Sequence, residues 1–424
     1  MTGLTMVGIS HHGASLALLE RVAVRRDARR DVLMAVRSAG CPEAVLLSTC
    51  SRVEIYLDNS TLGLNDLFCA LLDVLVETSG VSHDELRAVI EVRTGRVALE
   101  HLFDVTAGLT SRVRGEIEIL APTQAAFREA QTAGMVTRTL AQLFPAALRS
   151  GRRIRAATTL NGLVRSLGHQ AVDIGLASLA GRTDSRVLVV GSGQMATAAV
   201  NHLAVLGMRV TVTARDEAYA ARLAGPGTVC ALSGLMQEIA RTDLVICATS
   251  AAHPIVTVDH VRGAMGERTG PLTVVDLSVP RNVDPAVAQV PGVTLIDLEG
   301  LNDEGTAEPG LTAALSLATL MSRAAAAEYA DGVAARGAGP VIAAMRHRVE
   351  LACQAELART ADWYTLDSDA RARSVHAIAG KLLHGPTIVA RHAAAAGDSD
   401  ALRHLCTTFG VPLTEVGLAE TTRT

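Results

Sequence analysis

Apolar residues recur with two different periods over the first 160 residues, and these periods predict a mixture of short strands and helices. Residues 5–9 and 44–48 are short apolar runs, which predict buried strands. Residues 32–38 and 65–77 carry apolar side chains every three or four positions, which predicts helices that bury one face. Strands and helices mixed over so short a stretch indicate a small α/β sheet region.

From residue 97 to residue 157 the apolar spacing is helical almost throughout. Pro122 and Pro145 interrupt this stretch, and we expect breaks near them because proline lacks the amide donor that a helix interior needs. A strand–helix–strand pattern follows over residues 187–214. Further strands are predicted at 244–248, 273–276 and 293–296. Strands that alternate with helices in this way predict a parallel sheet.

From residue 301 onward the pattern predicts only helices, over 311–335, 341–363 and 374–395. The segment Gly-Ala-Gly-Pro at 337–340 separates the first two. These helices carry apolar stripes and little chemistry, so a dimerisation surface is their simplest role. An ordinary packed bundle is the alternative.

The amino-acid composition limits the classes of protein to which this chain can belong. The 424 residues suffice for two or three domains, and 49% hydrophobic with 19% charged residues is typical of a globular chain. The seven cysteines show no CxxC or zinc spacing. We therefore expect no disulfide framework, no metal site and a reducing, cytoplasmic setting. The pattern predicts neither a signal peptide nor a membrane span.

The charge is distributed unevenly along the chain. A net charge of −4 argues against nucleic-acid binding over the whole surface. The window 130–172, however, contains no Asp or Glu but has six arginines, namely Arg138, Arg149, Arg152, Arg153, Arg155 and Arg165. This window predicts a local basic face that suits nucleic-acid phosphates, with a solvated helix face as the alternative.

The most informative chemical feature is Cys50, which follows an apolar strand and lies among hydroxyl side chains, with Arg52 close by. A cysteine in such surroundings can hold its charge as a thiolate, so Cys50 is a candidate nucleophile. The alternative is a buried cysteine that packs as a small hydrophobe. Arg52 is a candidate partner for a substrate carboxylate, and its alternative role is a surface ion pair with Glu54.

A dinucleotide-binding fingerprint, GxGxxA, lies between the strand predicted at 187–190 and the helix that follows. Its first glycine permits a tight turn, and its second lets the backbone approach a pyrophosphate at the helix N-terminus. The alanine allows close helix–strand packing. The predicted cofactor-binding residues of this segment are Gly191, Ser192, Gly193, Gln194, Met195 and Ala196.

The next strand ends with Arg215 and Asp216, which bear on cofactor preference. An acidic residue there favours NAD through the ribose 2′-hydroxyl, whereas an arginine pairs with the 2′-phosphate of NADP. Because Arg215 comes first, we predict NADPH, and Asp216 keeps NAD as the alternative.

Several motifs in order resemble the glutamyl-tRNA reductase family. Residues 48–56, Ser-Thr-Cys-Ser-Arg-Val-Glu-Ile-Tyr, resemble the nucleophile segment of that family. Further similar segments are Gly-Ile-Ser-His at 8–11, His-Leu-Phe at 101–103, Arg-Gly-Glu at 114–116, Asp-Leu-Ser-Val-Pro-Arg at 276–281 and Lys-Leu-Leu-His-Gly-Pro-Thr at 381–387. The last contains Lys381, the only lysine of the chain.

The resemblance implies an α/β multidomain fold with three parts. These are an N-terminal α/β catalytic domain (1–160), a Rossmann-like NADPH domain (161–300) and a C-terminal all-helical dimerisation domain (301–424) linked by a long spinal helix. It implies reduction of glutamyl-tRNA to glutamate-1-semialdehyde through a Cys50 thioester, the first step of five-carbon tetrapyrrole (porphyrin) biosynthesis. A homodimer and a glutamate-1-semialdehyde aminomutase partner are also implied.

The resemblance also implies roles for individual residues. His101 matches the histidine that assists the catalytic cysteine by proton transfer or orientation; a structural histidine is the alternative reading. The predicted substrate-binding residues are Thr49, Arg52, Ser111, Glu116, Glu118 and Gln124.

Departures from the family pattern keep other functions open. Glu118 stands where the family has Gln, Ser51 where it has Asn, and Thr110 where it has Asp. A carboxylate at 118 would repel a glutamyl carboxylate. A diverged paralogue that reduces another aminoacyl-tRNA is therefore one alternative, and a non-catalytic paralogue that binds tRNA or a partner is another. A shikimate-dehydrogenase-like oxidoreductase would explain only the central segment.

Overall fold

A computed structural model describes residues 3–58, 63–116, 118–160, 166–179, 185–249, 251–268, 270–301, 310–358 and 367–418. The chain divides into two compact units, residues 2–323 and residues 324–424. Within the described residues, no helix has both the length and the apolar character needed to cross a membrane.

The first unit begins with a four-stranded antiparallel sheet in the order β2-β3-β1-β4. Its strands are β1 (Leu4–Ser10), β2 (Ala44–Ser48), β3 (Arg52–Asp58) and β4 (Glu91–Thr94). The predicted strands at 5–9 and 44–48 are confirmed as β1 and β2. The sequence pattern did not predict β3 and β4, which carry charged residues. In β3 two of these, Arg52 and Glu54, are buried.

Within the described residues of this region, seven helices surround the sheet. They are α1 (Leu16–Val22), α2 (Arg29–Ser38), α3 (Leu64–Ser79), α4 (His83–Arg87), α5 (Gly95–Thr106), α6 (Leu120–Thr132) and α7 (Thr139–Ala157). The predicted helices at 32–38 and 65–77 are confirmed as α2 and α3. We call this part of the unit, residues 3–160, the antiparallel region.

The expected break near Pro122 is confirmed, because α5 ends at Thr106 and α6 begins at Leu120, but the expected break near Pro145 is wrong. Pro122 is the third residue of α6, where an amide has no intrahelical acceptor, so the helix loses no hydrogen bond there. Pro145 lies inside α7, which continues through it. Buried neighbours on both sides, including Phe144 and Leu148, anchor α7 and offset the missing backbone hydrogen bond.

A six-stranded parallel sheet follows, in the order β10-β9-β8-β5-β6-β7. Its strands are β5 (Val187–Val190), β6 (Val210–Thr213), β7 (Thr228–Val229), β8 (Leu244–Cys247), β9 (Leu272–Asp276) and β10 (Val293–Ile296). The central strands are buried along their whole length, as expected for a parallel sheet covered on both faces.

Helices cover this sheet: α8 (Leu167–Ser178), α9 (Gln194–Val205), α10 (Glu217–Ala224), α11 (Leu235–Arg241) and α12 (Val258–Glu267). Short 3-10 turns occupy Leu232–Gly234 and Pro285–Gln289. We call residues 166–301 the parallel region. One apolar cluster joins it to the antiparallel region, because Leu16 and Val113 pack with the sheet residues Val187 and Val189.

The remaining described segments are helical: α13 (Leu311–Gly337), α14 (Gly339–Leu357), α15 (Ser368–Leu382), α16 (His384–Ala396) and α17 (Ser399–Thr408), followed by a 3-10 turn at Leu413–Val416. The long α13 is the predicted spinal helix. The single helix predicted over 374–395 is instead two helices that meet at Leu383. The fold class predicted from sequence is confirmed, with an α/β first unit and a helical second unit.

Candidate active site

Cys50 lies at the tip of the hairpin that joins β2 to β3. Only three residues connect the strands, and the amide of Thr49 donates to the carbonyl oxygen of Arg52 at 2.9 Å. The amide of His11 donates to the carbonyl oxygen of Ser51 at 2.9 Å, which fixes the other side of the tip. A short hairpin therefore holds the half-buried thiol at one defined position.

A cleft of about 690 Å³ lies between the antiparallel and parallel regions and contains this tip. The predicted nucleophile Cys50 lines it from the antiparallel side, together with four residues predicted to bind substrate, namely Thr49, Ser111, Glu116 and Glu118. Residues predicted to bind the cofactor line it from the parallel side, namely Gly191, Ser192, Gly193, Gln194, Met195 and Arg215. The fold thus brings together two sets of residues that are far apart in sequence.

Four predicted site residues are not among the described residues that line the cleft. Ala196 is fully buried against the sheet, as close packing of helix and strand requires. Gln124 accepts a hydrogen bond from Arg152 at the surface, at 3.1 Å. Arg52 and His101 belong to a buried network beneath the hairpin.

That network centres on the carboxylate of Glu54. One of its oxygens lies 2.9 Å from Arg52 Nη1 and 2.9 Å from His101 Nε2, and the other accepts from the Tyr56 hydroxyl at 2.7 Å. Burial raises the pKa of Glu54, but the charge of Arg52 and the hydrogen bonds from His101 and Tyr56 outweigh it and hold the pKa at about 2. Arg52 therefore forms a buried ion pair with Glu54, where the sequence suggested a surface pair.

Gly8 on β1 leaves the space that this network needs. It pairs with Glu54 across the sheet, and a Cβ atom there would come within 2.8 Å of Glu54 Cα and Cγ. The second guanidinium nitrogen of Arg52 donates to the carbonyl oxygen of Thr110. The network thus connects the nucleophile hairpin to the segment that carries Ser111.

The electrostatic environment of Cys50 favours the neutral thiol. Burial, and then the charges of Glu116 and Glu118, raise the pKa of the Cys50 thiol to about 12, although the charge of Arg112 opposes them. The expectation that Arg52 would stabilise a thiolate is therefore wrong for this structure, because its guanidinium is bonded to Glu54 and Thr110. A group that accepts the thiol proton is needed for nucleophilic attack.

Two carboxyl groups of the cleft have raised pKa values. Burial, and then the charge of Glu118, raise the pKa of Glu116 to about 7. Burial also raises the pKa of Glu118, whose Oε2 atom is buried without a hydrogen-bond partner. A carboxyl group with a pKa near 7 exchanges protons readily at neutral pH.

The dinucleotide segment has the geometry that its motif predicts. Gly191 has φ +128°, and a Cβ atom would collide with the carbonyl of Ala248. At Gly193 a Cβ atom would meet no atom within 4 Å, so this backbone faces open space at the start of α9. No side chain caps that helix, which leaves its first amides available to a phosphate. These residues fit a dinucleotide.

Arg215 and Asp216 both line the cleft, but among the described residues only Asp216 makes a hydrogen bond to another part of the protein. Asp216 is the N-cap of α10 and accepts a hydrogen bond from the Tyr219 amide at 2.9 Å. Arg215 is exposed and has no ion pair within the described part of the chain. Thr213 Oγ1 lies at the same edge, buried and without a partner. This edge offers a free guanidinium to an anionic group.

Several residues that line the cleft were not among the predicted site residues. Arg26, Arg29 and Glu129 line its antiparallel side, with Arg29 Nη1 3.1 Å from a Glu129 oxygen. Ser278 and Val279 line its parallel side, in a loop whose backbone is held by Asp276. The position of Asp276 at the end of a predicted strand was the available signal for this loop.

The predicted basic face is smaller than the sequence window. Arg149, Arg152 and Arg153 are exposed on α7, and Arg138 is exposed just before it. Arg155 is buried and donates to the carbonyl oxygens of Gly115 and Glu116, so it does not contribute to the face. Arg165 lies outside the described residues.

The described residues contain no cluster of three His, Cys, Asp or Glu side chains that would hold a metal ion.

Sequence models of three families match consecutive parts of the chain. The model described as glutamyl-tRNAGlu reductase, N-terminal domain, matches residues 7–158. The model of shikimate / quinate 5-dehydrogenase matches residues 175–304, and that of the glutamyl-tRNAGlu reductase dimerisation domain matches residues 320–411. The shikimate-dehydrogenase likeness is thus confined to the central segment.

Two relatives that match this chain over most of its length carry the same family name. A protein named glutamyl-tRNA reductase from Kineococcus radiotolerans is 36% identical over 422 residues, covering 95% of this chain and 93% of that protein. One of the same name from Corynebacterium aurimucosum is 34% identical over 440 residues, covering 98% and 94%. The solved glutamyl-tRNA reductase from Methanopyrus kandleri is 27% identical, covers 93% of this chain and 99% of its own, and gives a TM-score of 0.43.

The family predicted from the motifs is confirmed by these full-length relatives, and the nucleophile hairpin, the dinucleotide segment and the C-terminal helices all lie within the matched ranges. On this evidence the chain belongs to the glutamyl-tRNA reductase family.

Proposed function

We propose that this protein reduces glutamyl-tRNA to glutamate-1-semialdehyde with NADPH, through a thioester on Cys50. The observation that carries this proposal is the single cleft lined by both Cys50 and the dinucleotide segment. A thioester at the hairpin tip would be exposed to a hydride donor bound on the opposite wall. The names of the full-length relatives supply the substrate.

The first chemical step uses a substrate that is already activated. The Cys50 sulfur attacks the ester carbonyl carbon of the aminoacyl-tRNA, a carbon–sulfur bond forms, and the bond to the ribose oxygen breaks. The tRNA leaves with a free 3′-end hydroxyl that takes up a proton. The glutamyl group stays on Cys50 as a thioester.

Glu116 is the group that we assign to the thiol proton. It lines the cleft with Cys50, its charge acts on the thiol, and its pKa of about 7 suits a general base at neutral pH. His101 is buried and bonded to Glu54, so we assign it a positioning role in holding the network beneath the hairpin. Arg52 as a carboxylate ligand stays a prediction, as do Thr49, Ser111, Glu118 and Gln124.

When bound, the nicotinamide cofactor supplies a hydride to the thioester carbon. Gly191 and Gly193 give its phosphates access to the first amides of α9. Arg215 offers a guanidinium to the 2′-phosphate, which is our reason for NADPH over NADH. Collapse of the reduced adduct breaks the carbon–sulfur bond, releases the aldehyde and returns the thiolate of Cys50.

Two macromolecular partners accompany this function. The exposed arginines of α7, together with Arg26 beside the cleft, suit the backbone of the tRNA acceptor end. The C-terminal helices suit a homodimer, because they match a dimerisation domain and expose Leu351, Ile378, Leu382, Ile388 and Val389. Direct transfer of the reactive aldehyde to an aminomutase stays a prediction. The cytoplasmic location of the protein also stays a prediction.

A second candidate function is reduction of a different aminoacyl-tRNA. Glu118 favours it, because an unpartnered carboxyl oxygen in the cleft would repel an anionic substrate side chain. The chemistry at Cys50 would be unchanged. Only the identity of the amino acid distinguishes the two candidates.

Single-turnover reduction tests both. Glutamyl-tRNA and a panel of other charged tRNAs are mixed with excess protein and NADPH, and aldehyde is quantified for wild type, Cys50→Ser and Cys69→Ser. Cys69 is exposed on α3 and serves as the matched control. We expect aldehyde from glutamyl-tRNA, its loss in Cys50→Ser and its retention in Cys69→Ser.

Aldehyde from another charged tRNA alone would establish the second candidate. No aldehyde from any charged tRNA, with folded protein that binds NADPH, would contradict both and favour a non-catalytic paralogue.

A further inference from the structure

The two walls of the cleft are joined by a small set of polar contacts, which we call the seam: Glu20–Arg281, Glu299–Leu16 and Arg112–Leu298. Glu20 and Leu16 lie on α1, and Arg112 follows the cleft residue Ser111. Their partners lie in the parallel region. The seam therefore connects the part that carries the nucleophile to the part that carries the dinucleotide segment.

The strongest contact of the seam is made by Glu20. Its Oε1 atom accepts from the backbone amide of Arg281 at 2.7 Å and lies 3.1 Å from Arg281 Nε. Both side chains are mostly buried, with 18% and 24% of their side-chain surfaces exposed. One carboxylate thus accepts a hydrogen bond from the backbone of Arg281 and forms an ion pair with its side chain.

Arg281 belongs to the loop that lines the cleft through Ser278 and Val279. Asp276 holds this loop from the sheet side, accepting from the amides of Ser278, Asn282 and Val283 at 3.0, 2.7 and 2.8 Å. Glu20 is the contact that holds the same loop from the antiparallel region. The loop is therefore fixed relative to both walls.

The other two contacts reinforce this arrangement. Glu299 Oε1 accepts from the Leu16 amide at the start of α1, at 2.9 Å. Arg112 Nη1 donates to the Leu298 carbonyl oxygen at 3.2 Å, and its charge also acts on the Cys50 thiol. Leu16, Val113, Leu298 and Leu301 pack in the same apolar cluster.

We propose that Glu20 is a positioning residue, which sets the distance between the Cys50 thioester and the hydride donor through its bond to Arg281. This inference rests on the proposed function. Acyl transfer to Cys50 needs only the antiparallel wall of the cleft. Hydride transfer needs the correct distance and orientation between groups on both walls. A misplacement of about 1 Å between reacting groups can reduce a rate by about 10²-fold. Loss of Glu20 should therefore impair reduction selectively.

The test separates the two half-reactions. Wild type, Glu20→Ala and the nearly isosteric Glu20→Gln are mixed with glutamyl-tRNA, or with whichever charged tRNA the wild type reduces. Without NADPH, formation of the Cys50 thioester is followed by acid quench. With NADPH, the ratio of aldehyde to hydrolysed free amino acid is measured. Binding of NADPH is followed by its fluorescence.

In both Glu20 variants we expect the rate of thioester formation and the Kd for NADPH to stay within about twofold of the wild-type values. The aldehyde-to-acid ratio should fall roughly tenfold or more in Glu20→Ala, because the misplaced thioester is lost to water. Glu20→Gln keeps an acceptor for the Arg281 amide and should fall in between. Arg21→Ala is the matched control on the same helix, since Arg21 forms an exposed 2.8 Å pair with Glu85 of the antiparallel region and makes none of the seam contacts described above.

An unchanged ratio in both Glu20 variants would overturn the inference, and so would equal losses of thioester formation and aldehyde, which indicate a general structural defect. Failure of the proposed function is distinguishable, because the wild type would then form no thioester or no aldehyde.

Discussion

The imidazole Nε2 of His101 lies 2.9 Å from a carboxylate oxygen of Glu54, and both side chains are buried. The histidine that motif comparison places beside the catalytic cysteine is thus part of the support of the hairpin. Glu54 and Arg52 lie on β3, the strand that begins two residues after the thiol. The positioning role that we propose for His101 therefore acts through this strand.

The first prediction concerns the charge of Glu54. In Glu54→Gln, Arg52 stays buried without its counter-charge, so we expect the free energy of unfolding to fall by about 3–5 kcal/mol at pH 7. The pKa of Glu54 is about 2, below its ordinary 4.5. Its stabilisation is therefore present above pH 4.5 and is lost as the pH falls from 4.5 towards 2.

Urea unfolding from pH 7 to pH 3 measures this difference, which should shrink below pH 4.5. Glu91→Gln is the control, because its pair with Arg93 is half-exposed and should contribute at most about 1 kcal/mol. A difference between wild type and Glu54→Gln that is constant with pH would contradict the assignment.

The second prediction concerns the reactivity of Cys50. The charge of Glu118 raises the pKa of the Cys50 thiol, so Glu118→Gln should lower that pKa and raise the thiolate fraction. We expect alkylation of Cys50 by iodoacetamide at pH 8 to accelerate roughly threefold to tenfold, since one pKa unit changes the thiolate fraction about tenfold. Peptide mass spectrometry isolates Cys50 from the other cysteines.

Glu129→Gln serves as the control for this experiment. Glu129 also lines the cleft, but it is paired with Arg29 and is not one of the main groups that shift the Cys50 pKa. Equal acceleration in both variants would show that Glu118 has no specific effect.

The third prediction concerns cofactor choice at the end of β6. Arg215→Ala removes a charge-assisted contact to the 2′-phosphate, which is worth about 1.5–3 kcal/mol. The Kd for NADPH should rise roughly 10- to 100-fold, and the Kd for NADH should change by less than about twofold because NADH lacks that phosphate. Titration of nicotinamide fluorescence measures both constants.

Asp216→Ser provides a comparison in which the cap of α10 is kept, because serine is a good N-cap residue. This variant should leave NADPH binding intact. A parallel loss of NADPH and NADH affinity in Arg215→Ala would contradict the 2′-phosphate assignment.

The fourth prediction concerns tRNA. Replacing the three exposed arginines of α7, Arg149, Arg152 and Arg153, with glutamine should raise the KM for charged tRNA and reduce the salt dependence of binding, with a log–log slope smaller by up to about 3. A matched triple change in the parallel region, at the exposed residues Arg209, Arg241 and Arg262, alters the net charge equally.

If both triple variants weaken tRNA binding to the same extent, the effect comes from overall charge and α7 is not the contact surface. Thioester formation from a small activated glutamyl ester should be unaffected in both variants, because it does not need the tRNA backbone.

The local pattern of the chain determined much of this architecture. The sequence predicted the strand at Val187–Val190, the turn at Gly191 and the helix that follows. A four-residue apolar run followed by two closely spaced glycines is typical of a buried strand that ends in a tight turn. The family and the three-part fold also followed from short sequence motifs, which occur in the family's order between residues 8 and 387.

Only the tertiary structure decided which charged residues are buried and which face the cleft. The sequence predicted Arg52 as a substrate ligand, with a surface ion pair as the alternative, and Arg155 as part of a basic face. In the structure Arg52 is buried against Glu54 and Thr110, and Arg155 against the backbone of Gly115. The local spacing of apolar residues does not identify buried charged residues, because a charged side chain is buried only where partners distant in sequence pair with it. The same reason explains why the seam of Glu20 and Arg281, 261 residues apart, appears only in the folded protein.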